Sequence, residues 1–120
     1  MVNIVLIDDD AVSNFVTEKF IKKHIKEPCR IFKFSSATDA LNEIYKINPK
    51  YMFVDLLMPQ MTGMDFLETL NEKYIKSEIY VLSSSVNEKD VEKVANCHKV
   101  KKFLPKVGVK QSIEEIFGKE

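Results

Sequence analysis

Four places in this chain carry side chains whose types could work together. Asp8, Asp9 and Asp10 follow the apolar run Ile4–Ile7, Asp55 follows Met52–Val54, Ser83 follows Ile79–Leu82, and Lys106 comes soon after Phe103–Leu104. Carboxylates crowded together repel, and each raises the pKa of its neighbours unless a cation lies among them. Hard carboxylate oxygens suit Mg²⁺, which keeps several waters and takes one or two acids plus a phosphate. An ammonium and a hydroxyl beside such an ion would complete a cradle for a phosphoryl group, with Asp55 supplying the attacking oxygen. Phosphoryl transfer asks for little beyond position and charge, so so sparse a set is chemically sufficient. Each piece also has a plainer reading. Asp55 could cap a helix, the aspartate triplet could be an acidic helix start, Ser83 a turn residue, and Lys106 one more solvated lysine. Only their occurrence at four strand ends favours the joint reading.

The elements that would have to position these groups can be read from periodicity. Asn3–Ile7, Met52–Val54 and Glu78–Leu82 are short, mostly apolar runs of strand length, and Arg30–Phe34 and Lys101–Leu104 are read as two further short strands. The unbroken Ile4–Ile7 run implies burial on both faces, as in a parallel sheet covered by helices. Between the strands the period lengthens. Val12, Phe15, Val16 and Phe20 predict one inward helical face; Ala37, Ala40, Leu41, Ile44 and Tyr45 a second; Phe66, Leu67, Leu70 and Tyr74 a third; Val91, Val94 and Ala95 a fourth; Val109, Ile113, Ile116 and Phe117 a fifth. Asp10 is placed to cap the first helix. Ser36 with Asp39 and Ser85 with Glu88 have capping-box spacing, and Asn48-Pro49 ends the second helix. Pro59 and Gly63 punctuate the loop after Asp55, and Pro105 stops a last strand that suits an edge. Strand–helix alternation five times over predicts an α/β three-layer sandwich of flavodoxin-like (βα)5 type. The parallel sheet order 2-1-3-4-5 sets strands one and three side by side at the switch point, where ligands bind.

Composition narrows the function classes. The chain has 120 residues, 45% hydrophobic, with Lys plus Arg and Asp plus Glu at 18 each. That is enough for one core, and residues 1–120 are expected to form a single domain. Charge balance gives no general attraction to nucleic acid or anionic membrane. The Ile4–Ile7 run is too short for a signal or membrane segment, so a cytoplasmic protein is expected. Cys29 and Cys97 lie in no metal or redox spacing and are expected to be reduced. His24, among lysines at a helix end, is expected to be a solvated partner of the helix dipole, and His98 to lie away from the acids.

The ordered set Asp8-Asp9, Asp55 with Met58-Pro59 and Gly63, Ser83 after an apolar strand, and Lys106 preceded by Phe103 resembles the receiver domain of bacterial two-component response regulators, in a stand-alone, chemotaxis-regulator-like form. The resemblance covers essentially the whole length. It implies that Asp55 accepts a phosphoryl group from a phosphohistidine on a sensor histidine kinase or phosphotransfer protein, and that the chain catalyses its own phosphorylation and dephosphorylation rather than turning over a separate substrate. Asp9 would bind Mg²⁺ directly and Asp8 mainly through water, with Asp55 and the Leu57 carbonyl as further ligands. Ser83 and Lys106 would contact the acyl phosphate. Ser83 would draw inward and Phe103 move with it, repacking the face made by the fourth helix, fifth strand and last helix. With no effector domain after the last helix, the expected output is a bound effector protein, from a monomer or weak dimer.

Three departures stand out. The family's usual Lys-Pro, with its cis bond, is here Lys106-Val107. A cis bond before valine costs roughly 2.5–4 kcal/mol, so a trans bond is predicted, and the reach of Lys106 becomes an open matter. Phe103 replaces the commoner tyrosine and can record a state only by packing. Leu57, two residues after Asp55, could shield a phosphoryl group from water. Two competing functions remain: a haloacid-dehalogenase-type phosphohydrolase using Asp8 and Asp10, and a receiver-like binding module that is never phosphorylated.

Overall fold

The computed structural model describes residues 1–84 and 87–118. Ten elements alternate along the chain: β1 (Val2–Ile7), α1 (Ala11–His24), β2 (Cys29–Phe34), α2 (Ala37–Ile47), β3 (Tyr51–Val54), α3 (Gly63–Thr69), β4 (Glu78–Ser83), α4 (Glu88–Ala95), β5 (Val100–Pro105) and α5 (Val109–Phe117). The strands form one parallel sheet in the order β2-β1-β3-β4-β5, as the sequence predicts. Two apolar layers lie against it. Residues of α2, α3 and α4, among them Ala40, Ile44, Phe66, Leu67 and Val94, pack on one face with Val5, Met52 and Val81. Ile21 of α1 and Ile113 and Phe117 of α5 pack on the other with Ile4, Leu6, Phe53 and Tyr80. Alternate residues of each strand thus serve opposite layers, the strand period at work.

Register explains where the acids fall. Ile7 lies opposite Val54, so Asp8 and Asp55 leave neighbouring strands at the same level. The ladder runs one step further: Asp55 N–H donates to the Ile7 carbonyl at 2.9 Å and Asp8 N–H to the Phe34 carbonyl at 3.0 Å. Helix starts are fixed by side chains. The Asp10 carboxylate accepts from the Val12 and Ser13 amides, Ser36 Oγ from the Asp39 amide, and Thr62 and Asp65 form a reciprocal capping box on α3. Asn48, in the left-handed region at φ 47°, ends α2. Of the expected Ser85–Glu88 box, Ser85 lies outside the described residues; Asn87 caps α4, its Oδ1 accepting from the Lys89 amide.

Four expectations are corrected. The inward face of α1 is Asn14, Thr17 and Ile21, while Val12 is 69% and Phe15 53% exposed. The reason lies in the strand ends. The buried Asp8 carbonyl needs a donor, and the Asn14 carboxamide supplies it at 3.1 Å, with a second contact at 3.3 Å to the Phe34 carbonyl that already accepts from the Asp8 amide. Helix α3 stops at Thr69, so Tyr74 falls beyond it and is exposed, its ring set edge-on against Tyr45, itself more exposed than expected. In α4 only Val94 is buried; Val91 and Ala95 face solvent, because so short a helix lays little more than one side chain on the sheet. His24 is only partly solvated. Its Nε2 is buried with no partner among the described residues, and its ring lies near Gly118 at the end of α5.

Candidate phosphoacceptor site

At the carboxyl end of the sheet, oxygens of Asp8, Asp9 and Asp55 come within 4.8 Å of one another. Asp8 and Asp55 are each 4% exposed, whereas Asp9 is open to solvent. Each buried acid is held from its own backbone neighbourhood. Asp8 Oδ1 accepts from the Asp10 amide at 2.9 Å, and Asp55 Oδ1 from the Leu57 amide at 3.3 Å. The other oxygen of each faces Lys106, whose Nζ lies 2.8 Å from Asp8 Oδ2 and 3.3 Å from Asp55 Oδ2. Lys106 is carried there by β5: its amide donates to the Ser83 carbonyl at 2.9 Å, tying the ends of β4 and β5. The Lys106–Val107 bond is trans, as predicted, and the ammonium reaches both acids all the same.

The electrostatics follow from burial and crowding. Desolvation, then repulsion from Asp8, push the Asp55 carboxyl up to about 6, against the opposing pull of Lys106 and the Leu57 amide. Burial alone would lower the Lys106 ammonium, but the two carboxylates outweigh it and raise its pKa above the ordinary lysine value. Three carboxylates against one ammonium leave the hollow anionic. All the donors are hard oxygens, one of them on a solvent-facing side chain, so the residues fit a small divalent cation such as Mg²⁺.

The remaining expected residues fall into place unevenly. Ser83 is buried at the end of β4, opposite Pro105. Phe103 is half-buried and packs with the α2–α3–α4 layer, while Leu104 beside it faces the α1–α5 layer. The Leu57 side chain, two residues after Asp55, is 53% exposed. Asp10 caps α1 through Oδ1 and stands outside the Asp8–Asp9–Asp55 cluster. His98 is far from the acids and bonds Glu72 at 2.9 Å. Gly63 has a steric duty. A Cβ there would collide with the Asp55 carbonyl oxygen and lie 2.8 Å from Leu56 Cα, so only glycine lets α3 begin this close to the Asp55–Leu56 peptide.

Two residues that support the site escaped the sequence reading. Asn14 and Thr17 are buried under it, and with Leu6, Phe53 and both buried aspartates they line a cavity of about 10 Å³ beneath the acids. Their signal was the spacing Asn14, Thr17, Ile21, one helical face in which two members are polar.

A profile of the response regulator receiver domain matches residues 4–117. No curated protein matches the chain by sequence. Among solved structures, the Mn(2+)-bound form of response regulator Rcp1 is similar with TM-score 0.83 at 19% identity, covering 97% of this chain and 91% of that one. A CheY-like response regulator receiver domain protein from Methanospirillum hungatei JF-1 follows with TM-score 0.81 at 17% identity, over 97% and 90% of the two chains. The RcsB response regulator of Salmonella typhimurium gives TM-score 0.81 at 19% identity over 95% of this chain, which spans only 56% of that longer protein. With the profile running through every strand and helix just described, this chain belongs to the response regulator receiver domain family.

Proposed function

We propose that this chain is a phospho-accepting response regulator of a two-component system, in which Asp55 takes a phosphoryl group from a phosphohistidine on a sensor histidine kinase or phosphotransfer protein. The observation that carries this reading is the gathering of Asp8, Asp9 and Asp55 at one hollow, with the Lys106 ammonium bridging the two buried acids. A carboxylate oxygen of Asp55 attacks phosphorus as the bond to the imidazole nitrogen breaks, and the electron pair leaves with the imidazole. Lys106 then transfers its contact from carboxylate to phosphoryl oxygen, and the Ser83 hydroxyl donates to another. Asp8, Asp9, Asp55 and the Leu57 main-chain carbonyl are the groups that would hold Mg²⁺, which would withdraw charge from the transferring group. The Mn(2+)-bound form of the similar Rcp1 supports a divalent ion here.

Output is a packing change. Once the Ser83 hydroxyl turns to the phosphoryl group, room opens beside β4 for Phe103, and the surface of α4, β5 and α5 repacks for a downstream effector protein. The thin anchorage of α4, with Val94 alone buried, supports that element as the one that shifts. Charge balance, and the lack of any helix among the described residues long and apolar enough to cross a membrane, support a protein partner over nucleic acid or lipid. The working form is a cytoplasmic monomer or weak dimer. Incubation with acetyl phosphate and Mg²⁺ should add one phosphoryl mass to wild type and none to Asp55→Asn. Uptake that survives in Asp55→Asn would assign the acceptor elsewhere.

A further inference from the structure

Lys106 reaches its carboxylates through a trans Lys106–Val107 bond, so something else in the β5–α5 connection must aim it. The Val109 amide donates to the Lys106 carbonyl at 3.2 Å, closing a four-residue turn over Lys106–Val109. Gly108, its third residue, has φ 81° and ψ 22°, the left-handed geometry that a type II turn demands at that place. The turn is clamped at both ends. The Lys106 amide is fixed to the Ser83 carbonyl, and the Ser112 amide donates to the Gly108 carbonyl at 3.2 Å as α5 begins. Val107, at the apex, is 88% exposed.

We infer that Gly108 is a positioning residue: its left-handed turn, in place of an imide bond after the lysine, aims the Lys106 ammonium at Asp8 and Asp55. The inference rests on the phosphoacceptor reading for its activity readout, but not for its geometry. Nothing lies within 4 Å of where a Cβ on Gly108 would stand, so alanine there meets no clash and acts through backbone conformation alone. An L side chain avoids that region, and asparagine tolerates it best. Gly108→Ala therefore biases the turn away from the observed shape and withdraws Lys106, while Gly108→Asn keeps both.

The test is a cycle of four proteins, wild type, Gly108→Ala, Lys106→Met and the double variant, with Gly108→Asn as rescue. Initial phosphoryl uptake from acetyl phosphate with Mg²⁺ should fall roughly tenfold in Gly108→Ala, the penalty for an L residue in the left-handed region read as a rate. It should recover in Gly108→Asn, and Gly108→Ala should add nothing once Lys106 is methionine. Equal slowing by Gly108→Ala in both Lys106 backgrounds would overturn the inference. Should wild type take up no phosphoryl group, the functional reading fails, yet the positioning is still decided by ¹H–¹⁵N spectra of the lysine ammonium. A Lys106 Nζ resonance shifted by its two carboxylates in wild type, lost in Gly108→Ala and restored in Gly108→Asn, supports it. A resonance unmoved in Gly108→Ala rejects it.

Discussion

Asp55 keeps its proton to about pH 6, because burial and the neighbouring Asp8 both disfavour its charge. In the unfolded chain it titrates near the ordinary 3.8. The folded protein therefore binds a proton that the unfolded chain has lost between these values, and stability falls as pH rises through that window. Above about pH 6 the penalty is constant; below about pH 4 it is absent. Asp55→Asn should accordingly stabilise the protein at pH 7 in divalent-free buffer by roughly 1–3 kcal/mol. The gain should vanish near pH 4, with melting temperature against pH as the measurement. A variant no more stable than wild type at pH 7 would show that Lys106 already compensates the charge in full. Leu57 gives a second expectation at this scale. Its exposed side chain stands beside the acceptor, where it can lie over a phosphoryl oxygen and hold off the hydrolytic water. Leu57→Asn should then hasten loss of phosphate from Asp55, measured by decay of the phosphoprotein after the donor is removed. Unchanged decay would leave the leucine as loop packing only.

The helices differ in how faithfully the pattern of apolar residues reports the buried face. In α5, and in α2 apart from the exposed Tyr45, it does so, because Ala40, Ile44, Ile113 and Phe117 pack on apolar side chains of the sheet. In α1 it does not, because that helix starts beside strand ends whose buried carbonyls require hydrogen-bond donors. A reading that equates apolar with inward turns α1 the wrong way and passes over Asn14. The consequence is measurable by denaturant unfolding. Val12→Ser and Phe15→Ser should each change stability by less than about 0.5 kcal/mol. Asn14→Ala, which strands the buried Asp8 carbonyl and takes one of two donors from that of Phe34, should cost about 1–3 kcal/mol. The reverse ordering would contradict the observed orientation of α1. The strands were far more legible: every one was predicted to within a residue at each end, because short segments rich in Val, Ile, Leu and Phe between turn residues have few other uses, even where lysine or arginine interrupts them as in β2 and β5. The acids, Ser83 and Lys106 were equally plain, since each follows such a run. The aim of Lys106 was not, because a glycine two residues later carries no chemistry of its own to notice.

At the scale of the molecule, both apolar layers share one sheet, and each strand feeds side chains to both. The two layers should therefore melt together. Ile44→Ala opens a cavity in the α2–α3–α4 layer and should lower stability by about 2–5 kcal/mol. Amide protection in α5, on the far side, should fall by the same free energy, followed by native-state hydrogen exchange. Protection in α5 that survives the substitution would mean two separately cooperative halves. The hollow of Asp8, Asp9 and Asp55 sits where this shared sheet ends, so its carboxylates inherit the rigidity of strands buried on both sides.

Gly63 adds an asymmetry to that frame. Its Cα abuts the peptide of Asp55, and its amide donates to the Leu56 carbonyl at 3.0 Å, so the acceptor loop and the first turn of α3 are joined like a hub and its spoke. A jolt at Asp55 finds no slack on that flank. If Asp55 is phosphorylated as proposed, the close packing at Gly63 favours movement on the opposite side, across the sheet where β4 and β5 meet.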